Sequence, residues 1–374
     1  MKLISLQENL KKGLNIVGHV TTKNINLPIL SNILIKTADG NIELVSTNLE
    51  IGIVYKLRGK IENEGQFTVD SKLITEYVNL LNEGERVILE EKSEELLVWC
   101  GNYKTKIKGE SAKDFPLIPV ITQENYYSCN PEELKKSLNS VVFSVSTSEN
   151  RVELTGVLFS FIGDKLSLVA TDSYRLAEKE LTVNSFNINT DQSVIVPAKT
   201  VQELLRVLNN FDESVMNGEE TIKIYLAENQ ILFTVDSVSL ISRLINGHYP
   251  DYKQIIPAKS QTEVISKRSE LVRAVKAAAL FSKTGINDVS LRFEKNKIII
   301  SAFSGASGES QIEVITESTG DDNEITINYR YLIDGLNNID GDKVKISILN
   351  NNTPCSLRSE KNDGYLYIVM PIRQ

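Results

Sequence analysis

The octapeptide Ala170-Thr171-Asp172-Ser173-Tyr174-Arg175-Leu176-Ala177 gathers a hydroxyl, a carboxylate, a phenol and a guanidinium into one short segment. An acid, a phenol and a base so close could move a proton, but catalysis also needs a positioned nucleophile or base with a partner behind it. The sequence supplies none. His19 falls on a predicted helix and His248 beside a turn, and neither has a partner nearby in sequence. Cys100, Cys129 and Cys355 are far apart, odd in number and without metal spacing, which suits a reducing cytosol and argues against disulfides or zinc. The small-residue loop Gly305-Ala306-Ser307-Gly308 is not followed by Lys-Ser or Lys-Thr, so it is no phosphate cradle. The expectation is a chain that is not an enzyme and carries no cofactor and no metal. The chemistry left to the octapeptide is binding. It is either a strand end whose Asp172 and Arg175 satisfy local backbone groups, or a groove with a leucine floor and an arginine rim.

The end of the chain is the second such stretch. Tyr365-Leu366-Tyr367-Ile368-Val369-Met370-Pro371-Ile372-Arg373-Gln374 stays apolar almost to its last position, where chains usually fray into a polar tail. It either completes a sheet or, from Met370 on, leaves the sheet and lines a groove. The flexible thioether of methionine suits varied apolar partners.

The elements that must position these stretches repeat three times. Apolar residues at helical spacing, Leu10, Leu14 and Val17, recur 124 positions on as Leu134, Leu138 and Val141. The strand-like runs 33–35 and 42–48 recur at the same offset as 157–159 and 166–172, and a third copy lies at 298–304. Helices are predicted over 6–20, 71–81, 131–142, 197–208, 269–282 and 328–339. Alternating strands follow each second helix, at 86–108, 221–245 and 343–370. Each unit reads helix, strands, helix, strands, an α+β layer of two helices on antiparallel sheet. Proline-marked linkers near Asp114-Phe115-Pro116 and Tyr249-Pro250-Asp251 divide the chain into expected domains 1–122, 123–252 and 253–374.

The net charge is −8, with 24% charged and 41% apolar residues, as in a soluble globular protein. The chain begins without a basic region and a long apolar run, and no stretch approaches the roughly 20 apolar residues of a membrane span. The expectation is a cytoplasmic protein without a membrane partner. The charge is unevenly spread. Counted with the flanking Lys267, Arg268 and Lys283, the six predicted helices carry thirteen bases against seven acids, +6, which leaves −14 for everything else. These are ordinary solvated helix faces, or helices that share a surface facing a polyanion while acidic sheets face outward. Binding of that second kind would use phosphates, ignore sequence and depend strongly on salt. A repeated α+β scaffold that binds no DNA is the remaining rival.

Taken in order, Leu27-Pro28-Ile29-Leu30-Ser31-Asn32, Asp114-Phe115-Pro116, Gly156-Val157-Leu158-Phe159, the octapeptide 170–177, Tyr249-Pro250-Asp251-Tyr252 and Val369-Met370-Pro371-Ile372-Arg373 resemble the β subunit of bacterial DNA polymerase III over the whole chain. The resemblance implies the DNA clamp fold. Chains of three domains form a head-to-tail homodimer, a ring with helices inside and antiparallel sheets outside, around double-stranded DNA. It implies a non-catalytic processivity factor for DNA replication that tethers the DNA polymerase III α subunit. It also implies contact with the clamp loader and with other clamp-motif proteins: repair polymerases, mismatch repair and ligase.

It further implies a partner-peptide groove between the second and third domains, made by Leu154, Thr171, Ser173, Tyr174, Arg175, Leu176, Pro250, Ile255, Ile368, Met370, Pro371, Ile372 and Arg373. Leu176, Ile255, Ile368 and Met370 would form its apolar pocket, with Arg175 and Arg373 at the rim. Ser173-Tyr174 stands where the family often has Gly-His, and Val152-Glu153 where one branch has two tyrosines. The family's DNA-binding positions fall on Lys23, Asn24, Lys72, Arg151 and Lys199. Its dimer interface falls on Tyr103, Thr105, Ile107, Leu280 and Phe281.

Overall fold

The computed structural model of the chain describes residues 1–211, 221–361 and 364–372. Among these residues six α-helices form: α1 (Gln7–Gly18), α2 (Ser71–Asn79), α3 (Pro131–Val142), α4 (Ala198–Leu208), α5 (Arg268–Ala279) and α6 (Tyr329–Asn337). They lie where the periodicity predicts them, two to a repeat, with ends shifted by a few residues. Their starts are capped as the sequence suggests. The Asp70 carboxylate accepts from the Leu73 amide, Asn130 from those of Glu132 and Glu133, and Asn328 from that of Arg330. Pro131 then occupies the first turn of α3, where its missing N–H costs nothing.

The chain folds as two compact units, Met1–Glu133 with Val183–Asn189 and Lys199–Leu244, and Leu134–Thr182 with Thr190–Ala198 and Ile245–Gln374. The middle repeat contributes to both. The first unit is built on one fourteen-stranded antiparallel sheet, running from an edge at Asn184–Phe186 to an edge at Gly59–Asn63. Its halves join where Ile51–Lys56 pairs with Val238–Arg243, from Ile51 opposite Ser242 to Tyr55 opposite Val238. Leu10, Leu14 and Val17 of α1 and Ile74 and Val78 of α2 are fully buried, as are Ile33, Ile35, Leu44 and Ile53 of the sheet. The Arg206 guanidinium on α4 reaches the last carbonyls of α1, at Asn15 and Ile16, while pairing with Glu203.

The second unit holds a nine-stranded antiparallel sheet in the order Gln192–Pro197, Gly156–Ile162, Lys165–Thr171, Arg175–Thr182, Tyr365–Val369, Cys355–Ser359, Lys343–Ile348, Thr262–Lys267 and Glu317–Gly320. A four-stranded sheet, Gly308–Ile315, Lys297–Ser304, Asp288–Glu294 and Asn323–Asn328, lies in the same unit, and α5 and α6 pack on each other. The last strand ends at Val369. Pro371 then forms an isolated bridge with Ile327, and the Ile372 amide donates to the Thr326 carbonyl at 2.8 Å. The chain thus does leave the nine-stranded sheet after Val369.

Gly335 lets α6 lie flat over that last strand, because a Cβ there would overlap the ring of Tyr367. The ring is fully buried, and its hydroxyl donates to the Tyr331 carbonyl at 2.8 Å. Replacing a helical glycine with alanine ordinarily gains about 1 kcal/mol. Overpacking here costs about 1–3 kcal/mol and wins, so Gly335→Ala is expected to lower the melting temperature. A raised melting temperature would mean that Tyr367 can move aside.

Candidate functional site

The turn 171–175 links the strands Lys165–Thr171 and Arg175–Thr182 and spends its polar groups on itself. The Asp172 carboxylate accepts from the amides of Tyr174 and Arg175, both at 3.0 Å. The Thr171 hydroxyl donates to the Arg175 carbonyl at 2.6 Å and accepts from the Ser173 amide at 3.1 Å. Ser173 sits at φ 77°, a left-handed conformation that a residue with a Cβ adopts at a cost of about 1–2 kcal/mol. Those bonds hold it there. The strand-end reading of Asp172 is therefore what the structure shows.

Arg175 departs from the expected rim. Its side chain is 12% exposed, and its Nε pairs with Asp172 at 3.0 Å. One terminal nitrogen pairs with Asp334 of α6 at 2.5 Å, and the other donates to the Phe143 carbonyl at 2.9 Å. The guanidinium stacks over the rings of Tyr331 and Phe143. Burial works against its charge, but Tyr367, Asp172 and Asp334 outweigh burial and raise its pKa. A planar, five-donor cation fits this set of partners and a lysine would not. The side chain fastens the turn to α6.

Next to the turn the strand Arg175–Thr182 pairs with the last strand, Leu176 opposite Ile368. The Met370 amide donates to the Tyr174 carbonyl at 2.9 Å. An open cleft of about 520 Å³ lies here, lined by Ser173, Tyr174, Ile286, Asn328, Tyr331, Met370, Pro371 and Ile372. Tyr174 is 63% exposed and stacks on Tyr331 with ring centres 6.4 Å apart. Five expected groove residues meet in this cleft. Leu154, Thr171, Leu176 and Ile368 are instead buried beneath the surface, with Leu176 and Ile368 in one apolar cluster with Leu158, Val169, Ile195, Tyr252 and Leu366. Pro250 lines a separate cavity of about 300 Å³, and Ile255 lies exposed on the turn Tyr252–Ile255. Arg373 lies outside the described residues. Ile286, Asn328 and Tyr331 escaped the sequence reading. They come from a turn after α5 and from the start of α6, and the bridge from Pro371 to Ile327 and the bond from Ile372 to Thr326 bring residues 371 and 372 to them.

The expected DNA positions are dispersed. Lys23 is exposed, while the Asn24 side chain accepts from the amides of Asn26 and Leu27. Lys72 and Lys199 stand exposed on α2 and α4, Lys72 within 3.8 Å of Glu76. Arg151 donates to Glu153 at 3.0 Å and to the Ser173 hydroxyl at 3.2 Å. Of the bases counted on the helices, Arg206, Lys267 and Lys11 also have acidic neighbours. Glu76, Glu203 and Glu270 are among the seven acids already subtracted, so of these pairs only Lys11 with Glu83 lowers the +6.

Of the expected interface positions, Tyr103 is half exposed, Thr105 intermediate and Ile107 buried. Leu280, which caps α5, is 76% exposed, and Phe281 follows it half-buried. Residues 103–108 of the strand Tyr103–Ser111 pair with Glu95–Cys100. On its other side only Gly109, Glu110 and Ser111 find a partner, in Phe67–Val69. Residues 103–108 thus present an open edge among the described residues. Gly308–Ile315 is likewise the outermost strand of its four-stranded sheet.

The family described as DNA polymerase III beta subunit matches through all three of its parts: the N-terminal domain over residues 1–119, the central domain over 128–251 and the C-terminal domain over 253–373. A beta sliding clamp of Synechococcus elongatus is 27% identical over 377 residues, covering 100% of this chain and 99% of that protein. One from Staphylococcus epidermidis is 27% identical and covers 93% and 92%. Among solved structures, a sliding clamp of Pseudomonas aeruginosa bound to griselimycin superposes with a TM-score of 0.92 at 26% identity, over the full length of both chains. A DNA polymerase sliding clamp of Bacillus subtilis does so with a TM-score of 0.91 at 26% identity, over 100% and 99% of the two chains.

Exchanging the Arg175 guanidinium for an ammonium leaves Asp172 or Asp334 unpaired and removes the stacking. Arg175→Lys is expected to lower the unfolding free energy by about 2–4 kcal/mol. Denaturant unfolding checks this, and an unchanged midpoint would show that the pairs contribute nothing.

Proposed function

The chain belongs to the DNA polymerase III beta subunit family, the beta sliding clamps, and from that premise we propose how its parts serve the clamp. It is an accessory, non-catalytic subunit with the three-domain clamp fold, and its role is that of a processivity clamp. A clamp keeps a polymerase on its template by raising the effective concentration of one at the other, with no need for a tight grip on the duplex.

Its domains are 1–122, 123–252 and 253–374, and two chains close head to tail into a ring around duplex DNA. Two open edges support this order. Residues 103–108 carry Lys104, Lys106 and Lys108, and Gly308–Ile315 carries Glu309 and Glu313. Pairing one with the other covers both edges and sets bases against acids. Leu280 and Phe281 then meet Tyr103, Thr105 and Ile107 of the second chain. DNA is held by phosphate contacts from Lys23, Asn24, Lys72 and Lys199, and by Arg151 when it leaves Glu153. A lining of few unpaired bases inside an otherwise acidic protein suits a ring that slides. The ring works in the cytoplasm, and the polymerase α subunit, the clamp loader and repair and ligation proteins share one docking site.

That site is the cleft of Ser173, Tyr174, Met370, Pro371 and Ile372, continued toward the separate cavity at Pro250 and the exposed Ile255, with Leu176 and Ile368 buried in the cluster beneath. The observation that carries it is the open cleft without charged lining residues, walled by two stacked tyrosines and by Met370, Pro371 and Ile372. It suits the leucine or phenylalanine of a short linear peptide, and a few such anchors dominate an interface. Binding of a labelled Gln-Leu-Ser-Leu-Phe peptide tests it. Met370→Ala is expected to weaken micromolar binding about tenfold, one lost apolar anchor. No binding to the unaltered chain would reject the groove.

The ring is tested separately. The unaltered chain is expected at twice 41.8 kDa in solution, and Lys104→Glu with Lys106→Glu is expected to yield the single-chain mass. A dimer that survives both changes would place the contact elsewhere.

A further inference from the structure

Residues 245–256 cross the nine-stranded sheet as a strap whose only regular element is the turn Tyr252–Ile255. Three pins hold it down. Ile245 bridges Ile195 through its backbone, N–H to carbonyl at 2.9 Å. The Tyr249 hydroxyl donates to the Val169 carbonyl at 3.3 Å. The Tyr252 hydroxyl donates to the Glu178 carboxylate at 2.6 Å. The third is the strongest in kind, a short bond to a charged acceptor.

Glu178 is an expensive choice for this place. Burial pushes its carboxyl above the ordinary carboxylate range. The bond from Tyr252 pulls the other way, Glu180 adds to the rise, and Lys253 and Arg358 offset it. A phenylalanine over a leucine would cover the sheet as well without taking a carboxylate out of water. What the acid adds is direction, because one hydroxyl fixes the ring of Tyr252 and with it the strap's height and register. That ring lies in the same apolar cluster as Leu176 and Ile368. The strap also carries Pro250, between the two tyrosine pins, and Ile255, at the end of the turn that Tyr252 opens. Beside it the cavity of about 300 Å³, lined by Pro250, Tyr252, Leu158 and Ile195, leaves the strap room to shift once a pin is lost.

We propose that Tyr252 and Glu178 are positioning residues for the partner groove, a latch that holds the wall bearing Pro250 and Ile255 over the floor of Leu176 and Ile368. This rests on the groove reading above. A wall held in place before binding spares the peptide the cost of ordering it. The latch therefore acts on affinity while touching no ligand.

The test uses the full chain, the labelled Gln-Leu-Ser-Leu-Phe peptide and amide hydrogen exchange over 245–256. Tyr252→Phe is expected to weaken peptide binding about fivefold and to speed exchange in the strap. Glu178→Gln keeps an acceptor for the hydroxyl and is expected to stay within twofold of the unaltered chain, whereas Glu178→Ala is expected to match Tyr252→Phe. Leu232→Ala, in a separate apolar cluster with Ile121, Tyr225 and Ile241, serves as a control that loses melting temperature without losing affinity. If Tyr252→Phe fails to fold, the contrast between Glu178→Gln and Glu178→Ala carries the test. Unchanged or tighter peptide binding by Tyr252→Phe, or equal binding by the two Glu178 variants, overturns the latch alone. No binding by the unaltered chain overturns the groove and the latch together.

Discussion

The second unit hangs on the pairing of Arg175–Thr182 with Tyr365–Val369. These strands lie nearly two hundred residues apart, so their union closes a very long loop, and only strong burial on both faces can repay that entropy. Both faces are filled. Leu176 and Ile368 point into the cluster under Tyr252, while Ala177 and Tyr367 point toward α6, where Tyr367 fits against Gly335. A slip of one residue would exchange these faces and drive the Arg175 guanidinium into the cluster, so the register is fixed from two sides. The same register delivers Met370 to the carbonyl of Tyr174, and the cleft exists because the chain end is held there.

Given that register, the character of the cleft follows from where Arg175 goes. Its charge is met by Asp172 and Asp334 and its faces are covered by Phe143 and Tyr331. The wall left for a ligand is made of tyrosine rings, a thioether, a proline and isoleucines. In the proposed groove such a wall would recognise by shape and apolar area, and would reject a charged side chain through desolvation rather than repulsion. The arginine contributes by holding α6 and the turn at the right distance.

The repeats and helices were legible because periodicity is local: apolar residues at three- and four-residue spacing must share a helix face whatever surrounds them. Leu10, Leu14 and Val17, and Leu134, Leu138 and Val141, are all fully buried as that spacing requires. Sheet continuity was not legible. Nothing near Ile51–Lys56 names Val238–Arg243 as its neighbour, and the joining of strands from different repeats is decided by edges that no local pattern encodes. The cleft was half legible for the same reason. The octapeptide and the chain end announce themselves by composition, but Ile286, Asn328 and Tyr331 are ordinary turn and helix-start residues until Pro371 bridges Ile327. The partners of Arg175 were not legible, because a guanidinium in a turn looks like a rim. Two partners that fix it, Phe143 and Asp334, lie 32 and 159 residues away.

The exposed edges impose a final constraint. A strand with unpaired amides and carbonyls recruits a partner unless charge prevents it. If residues 103–108 met the same residues of another copy, three lysines would face three lysines, and Gly308–Ile315 against itself would oppose glutamates to glutamates. Like charges directly opposite on paired strands are destabilising. An interface of the self-complementary kind is therefore opposed at both edges, while the unlike pairing is favoured at both. In the proposed ring each chain brings a basic edge, residues 103–108, and an acidic edge, Gly308–Ile315, and so would carry two different halves of one interface. Such head-to-tail contacts either close into a ring or continue into a filament. Closure by two copies would pair these two edges of each chain and leave neither exposed, and a closed ring is the form in which weak contact with DNA would still hold a polymerase in place.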